Sequence, residues 1–345
     1  MLARVANSLY WMSRYIERAE NTARFIEVNL QFTLDPSVIG GEQWEPLVQI
    51  TGDAAAFRER HDEPTAAAVL EFLTLDRGYP NSIIACIAAA RENARMSRDV
   101  ITADMWRHLN AIYLELKDTT TQQLLRENAG QFFDRIAQAC LLFDAAVEAS
   151  LSRTQGYHFV ALGRALERAD KTLRLMDVKY FMLLPEAEDV GTTLDTVQWA
   201  DLLRSASALE MYRQCHGAIE TADGAAFLTM NDKFPRSVAF CLNEANWALE
   251  QINQVSVRRD NRTNPARRRL GRLRAELEFG DMGEIIGSGL HEFLDEMQLR
   301  LNRIDDAVNQ TYFQRHAKLA DPPATPGADA EDPSAMSQTQ TQSAS

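Results

Sequence analysis

One charged pattern occurs twice in this chain, and it limits the fold more than any other feature. Residues 14–28 read RYIERAENTARFIEV and residues 164–178 read RALERADKTLRLMDV. At an offset of 150, seven of the fifteen positions are identical, and Glu20/Asp170 and Glu27/Asp177 keep their charge. A second match follows at an offset of 155: FLTLDRGYPNSIIACI (72–87) pairs with FLTMNDKFPRSVAFCL (227–242), and Trp44/Trp199, Leu47/Leu202, Phe57/Tyr212, Arg58/Arg213 and His61/His216 fall in the same register. The change of offset lies in the connection after the first motif, where loops accept insertions. A period this long is not a solenoid repeat. It predicts two similar halves, about residues 1–153 and 154–317, packed about a pseudo-twofold axis with matched surfaces as in an isologous dimer.

Both halves read as helix. Apolar residues recur at three and four, as in Val5, Leu9, Met12, Ile16, Ala19, Ala23, Ile26 and Leu30, and no run of alternating β-branched residues appears. Breaks are marked by Asp35-Pro36, Gly40-Gly41, Gly78-Tyr79-Pro80, Asn128-Ala129-Gly130, Leu184-Pro185 and Asn264-Pro265. Pro80 and Pro235 stand where a helix would begin. The expectation is an all-α, internally duplicated bundle of about ten to twelve helices. Residues 318–345, rich in Pro, Ala, Ser, Thr and Gln, bury too little apolar surface to offset their ordering entropy and are expected to be a disordered tail.

Charge and cysteine usage narrow the function classes. A formal charge of −13 repels nucleic acid and anionic lipid unless basic residues are concentrated locally. The longest apolar run, residues 83–90, is too short to cross a bilayer. Cys86, Cys140, Cys215 and Cys241 are widely spaced, without a C-x-x-C, so the chain is expected in a reducing cytoplasm.

On a helical wheel Arg14, Glu17, Glu20, Arg24 and Glu27 fall in one stripe about 140° wide, opposite Ile16, Ala19, Ala23 and Ile26. Arg164, Glu167, Asp170, Arg174 and Asp177 make the same stripe in the second copy, and with Arg18 and Arg168 they are the candidate charged network. Glu20–Arg24 and Asp170–Arg174 have the favourable i, i+4 order. Three readings stay open: a solvated face with weak ion pairs, a partly buried network where the two stripes interlock, and a binding or catalytic site.

The opening LARVANSLYWMSRYIERAENTARFIEVN, together with YHFVALGRALERADKTLRLMDVKYF and FPRSVAFCL, resembles the alpha-E domain family, bacterial all-helical proteins named for recurring glutamates, over about residues 1–315. The resemblance places the family glutamates at Glu17, Glu20, Glu167 and Asp170, the aspartate reaching one methylene less far. It implies a partnership, sometimes a fusion, with a circularly permuted ATP-grasp protein, beside a transglutaminase-like peptidase and proteasome-like subunits. The expected function is an accessory protein that acts with an ATP-grasp-type carboxylate–amine ligase in forming or modifying a peptide amide bond. Two alternatives stand beside it. An independent helical enzyme using Glu17 or Glu167 as general base predicts an elevated carboxylate pKa. A structural scaffold predicts that charge variants lose stability before any partner.

Other constellations are weaker. A di-iron bundle needs Glu-x-x-His on two helices, and the chain has none, so no metal is expected. His61, Ser82 and Cys86, with His216, Ser237 and Cys241, invite a nucleophile reading, but their apolar surroundings favour packing. No P-loop, glycine-rich dinucleotide turn or G-x-S-x-G elbow is present, and no cofactor is expected. The run holding Arg258, Arg259, Arg262, Arg267, Arg268 and Arg269 is a candidate docking surface for an acidic partner, against the alternative of a solvated helix start.

Overall fold

The three-four apolar spacing folds as helix, and the described residues contain no strand. In this computed structural model the described residues are 1–33, 44–126, 129–182, 193–254 and 264–314; the expected tail, like Arg258, Arg259 and Arg262, lies outside them. The helices are α1 (Ala3–Thr33), α2 (Glu45–Thr51), α3 (Ala54–Arg58), α4 (Ala66–Thr74), α5 (Ile83–Met96), α6 (Ala103–Lys117), α7 (Thr121–Arg126) and α8 (Ala129–Ser150). They continue as α9 (Gln155–Met182), α10 (Thr193–Ser205), α11 (Leu209–Cys215), α12 (Thr221–Met230), α13 (Val238–Gln254), α14 (Pro265–Phe279), α15 (Met282–Ser288) and α16 (Leu290–Val308), which runs into a π-turn at Asn309–Phe313. Sixteen α-helices among the described residues exceed the ten to twelve read from periodicity, because α2, α3, α7, α11 and α15 have only five to seven residues each. Two turns are too few to establish a helical period.

Serine rather than proline starts α5. Ser82 Oγ accepts the Ala85 N–H and donates to the Asp76 carbonyl at 2.7 Å, so Pro80 lies in the preceding turn and the helix begins at Ile83. Ser237 does the same ahead of α13, accepting the Phe240 N–H at 3.1 Å, which moves Pro235 out of the helix as well. Asn264 caps α14 through the Ala266 and Arg267 N–H groups, with Pro265 at the first helical position. Among the described residues no helix is long and apolar enough to cross a membrane.

The two long helices lie at the centre. α1 packs on α5, α8 and α9; α9 packs on α1, α13 and α16. Leu9, Met12, Ile16, Ala19, Ala23 and Ile26 are buried along α1, and Leu162, Leu166, Ala169, Leu173 and Met176 along α9. Gly163 permits the close crossing, since a Cβ there would collide with Ser13 Oγ and the Tyr10 carbonyl oxygen. Gly163→Ala is therefore expected to cost about 1–3 kcal/mol by overpacking, although alanine is the better helix former by about 1 kcal/mol. Gly271→Ala on α14, where a Cβ meets nothing within 4 Å, is the matched control and should stabilise by about 0.5–1 kcal/mol. Urea melts of the two variants check the pair, and a neutral Gly163→Ala would mean that α1 and α9 part without cost.

Candidate functional site

Where α1 crosses α9, each helix delivers a glutamate to the other helix's arginines. Glu17 and Glu167 are only 3% and 0% exposed. Arg168 donates from Nε to Glu17 Oε1 at 2.8 Å and from a terminal nitrogen to Oε2 at 2.7 Å. Arg18 donates from Nε to Glu167 Oε1 at 2.6 Å and from a terminal nitrogen to Oε2 at 3.0 Å. The dipeptides Glu17-Arg18 and Glu167-Arg168 thus exchange partners as two fork-on-fork pairs, the strongest neutralising geometry available to a carboxylate.

That exchange is built on a Glu-Arg dipeptide, and residues 1–313 match the Alpha-E family, described as a predicted alpha-helical domain with a conserved ER motif. The chain belongs to the Alpha-E family. It is also 25% identical over 316 residues to uncharacterized proteins of Mycobacterium bovis and Mycobacterium tuberculosis, a match covering 85% of this chain and 34% of each relative. The chain therefore spans about a third of the length of the curated relatives it matches. No solved structure matches it.

Further donors complete the Alpha-E exchange. Arg14 gives Nε to Glu167 Oε2 at 2.8 Å and a terminal nitrogen to Asp305 at 2.5 Å, and the Tyr10 hydroxyl donates to the same Asp305 carboxylate. Lys171 Nζ lies 3.7 Å from Glu167 and 3.5 Å from Asp170. On the other side Asn21 donates to Glu17 Oε1 at 2.8 Å, and Arg236 reaches Glu17 at 3.4 Å and Glu20 at 2.9 Å. Arg24 pairs with Glu20, and Arg174 with Asp170 at 2.9 Å, one turn along each helix. Arg174 also lies against Gly52, whose φ of +79° ends α2 where a Cβ would meet the guanidinium. Arg164 turns outward to Glu148 at 2.8 Å and Asp144 at 3.7 Å. Among the described residues Glu27 accepts only from Gln31, whereas Asp177 meets His291 Nδ1 at 2.5 Å. The last residue of each stripe thus stands apart from the exchange.

Burial alone would raise the Glu17 carboxyl, but the Arg168 and Arg236 guanidiniums outweigh it and hold the group at about 2. Glu167 is likewise held well down, burial being overcome by Arg18, Arg14 and Lys171; Asp170 is lowered by Lys171 and Arg174 against its burial. Asp144 goes the other way, raised by burial despite Arg164. Burial and neighbouring guanidiniums push Arg24 and Arg236 down to about 10, and burial lowers Lys171. A general base needs a carboxylate near neutrality with an open lone pair; Glu17 and Glu167 are saturated with donors and shifted in the opposite direction. Among the described residues three buried atoms of this network lack a hydrogen-bond partner: Glu20 Oε2, Asp170 Oδ1 and Arg24 Nε. The two oxygens belong to positions 150 residues apart.

The remaining candidates separate cleanly. Ser82 and Ser237 are helix caps. The Cys86 and Cys241 thiols are pushed up to about 12 by burial, which leaves no thiolate nucleophile. Among the described residues no three His, Cys, Asp or Glu side chains are grouped to hold a metal. Arg267 is engaged by Glu250 at 2.7 Å, while Arg268 and Arg269 stand exposed on α14.

Sequence reasoning missed Arg236, Lys171, Asn21, Asn81, Asp144 and Asp305. A signal for the first four was present. At an offset of 150 Asn21 faces Lys171 in the alignment, and at 155 Asn81 faces Arg236, so each copy exchanges one amide for one cation at a different place. The structure puts Asn21 with Arg236, and Asn81 against Arg18, which supplies each glutamate with one extra cation.

Proposed function

We propose that this Alpha-E chain is a cytoplasmic accessory protein that acts with a circularly permuted ATP-grasp carboxylate–amine ligase in forming or modifying an amide bond on a small peptide, in a system that also holds a transglutaminase-like peptidase. Its two halves are read as related by a pseudo-twofold axis through the α1–α9 crossing. Ser13 and Gly163, equivalent positions in contact there, support that reading, as do the exchanged Glu17–Arg168 and Glu167–Arg18 pairs. The observation that carries recognition over catalysis is the division of labour along each stripe. Glu17 and Glu167 are fully bonded, whereas the neighbouring Glu20 and Asp170 each keep one buried oxygen without a hydrogen-bond partner among the described residues, which an opening of the network would offer to an ammonium or guanidinium. That the matched segment is a third of longer relatives supports a module working beside other domains.

The test is affinity for the cognate ATP-grasp protein, measured by calorimetry. A dissociation constant below about 1 mM is expected, weakened at least about tenfold by Glu20→Gln/Asp170→Asn, which keeps shape and removes charge. A folded double variant with full affinity takes these carboxylates out of recognition. A purely structural role is the second reading, favoured by the saturation of Glu17 and Glu167; under it the same variant loses urea resistance and leaves affinity untouched.

A further inference from the structure

A cavity of about 330 Å³ lies away from the Glu17–Glu167 network, between the end of α12, α13 and the last turns of α14. Its polar lining is Asp232, Asn243, Arg274 and Glu278; Met230 and Leu277 give it an apolar wall. Three observations set it apart from a surface irregularity. Arg274 gives its Nε to Asn243 Oδ1 at 2.7 Å, which fixes the guanidinium plane while its two terminal nitrogens have no acceptor among the described residues. Asp232 and Glu278, on the same cavity, form no ion pair with Arg274 or with any other described residue. Gly280 lines the cavity without a side chain: a Cβ there would stand 2.8 Å from the Glu276 carbonyl oxygen and 3.3 Å from Met230 Cε. Between the lining residues Glu278 and Gly280 sits Phe279, an aromatic side chain left 82% exposed.

An anchored guanidinium fork and two uncommitted carboxylates around one apolar-walled hollow complement a ligand that carries both charges. The fork fits a carboxylate through two parallel N–H bonds, and a pair of acids fits an ammonium. The volume is at the lower end of small-molecule sites, too small for a folded protein segment. We propose that this cavity binds the zwitterionic backbone of an amino acid or short peptide. Its carboxylate meets Arg274, its ammonium meets Asp232 and Glu278, and its side chain lies over Met230 and Leu277. The site does not depend on the ligase partnership, because the isolated chain contains all of it.

Calorimetry on the purified full chain with the dipeptide L-Ala-L-Ala, its N-acetyl form and its C-terminal amide tests this. Binding of the free dipeptide is expected, with about a tenfold loss on capping either end. Arg274→Gln should abolish the preference for a free carboxylate, and Asp232→Asn/Glu278→Gln, both at exposed positions, the preference for a free ammonium. Should Arg274→Gln fail to fold, the acid pair still decides through the N-acetyl comparison. No binding of Ala-Ala or tri-alanine up to about 10 mM, or binding indifferent to capping and to these substitutions, overturns the proposal.

Discussion

Replacing Glu167 by glutamine is expected to cost about 3–5 kcal/mol of folding stability, a large share of what a domain of this kind possesses. Glutamine keeps the shape of the side chain, so the loss isolates charge. Arg14 and Arg18 donate to this carboxylate, and Lys171 lies 3.7 Å away. Neutralising it leaves three cations at the α1–α9 crossing facing one another with only Asp170 and Asp305, among the described residues, to answer them. Because the carboxylate is wholly buried, added salt should not rescue the variant, as it would for a surface pair. Arg18→Gln/Glu167→Gln should recover part of the loss, since the second change removes one of the stranded charges; the coupling read from that cycle is expected to exceed about 1 kcal/mol. Glu27→Gln is the control, expected within about 0.5 kcal/mol of the unaltered protein, because among the described residues Glu27 accepts only from Gln31. Urea midpoints of these variants decide the matter, and a Glu167→Gln protein losing less than about 1 kcal/mol would show that the exchange does not hold the helices together.

The helices were legible because period and caps are local. Val5 to Leu30 keep three-four spacing, and Asn264-Pro265, read as a break, marks the start of α14. The charged stripe was legible because it recurs, but its environment was not. A helical wheel divides residues into one buried and one solvated face, which holds for a helix packed on one side. α1 is contacted by α5, α8 and α9, so Glu17 and Glu20 are as buried as Ile16 and Ala19. Residues that complete the network from far along the chain escaped for a different reason. Arg236 lies 219 residues from Glu17 and Asp305 lies 291 from Arg14, and no local rule links such distances. Only the paired Asn21/Lys171 and Asn81/Arg236 differences carried a trace of them. The cavity lined by Asp232, Arg274 and Glu278 follows from no sequence pattern: the three share no motif, and folding alone brings them to one hollow.

Acid should unfold this protein through the same carboxylates, and the direction follows from their pKa values. Glu17 falls from its usual 4.5 to about 2 in the fold, burial being outweighed by Arg168 and Arg236. A carboxylate that is harder to protonate folded than unfolded binds its proton first in the unfolded chain. Its stabilisation is therefore complete above about pH 4.5 and is lost as pH falls through about 2. At about 1.4 kcal/mol per pKa unit, the Glu17 contribution is roughly 3 kcal/mol. Glu167 and Asp170 are lowered too and steepen the fall in the same window. Asp144 opposes them: its raised carboxyl takes a proton more readily in the fold, so acidification relieves a cost there first. His158, lowered by burial from 6.5, begins the decline below neutrality. The net expectation is a fall of several kcal/mol between about pH 5 and pH 3 as more than one proton is taken up on unfolding. Glu17→Gln should begin lower at neutral pH and descend less steeply, since the group that titrates is gone. Urea unfolding across that range reads both slopes. Parallel curves for Glu17→Gln and the unaltered protein would mean that the acid sensitivity arises elsewhere, and that the buried exchange between α1 and α9 is not what low pH dismantles.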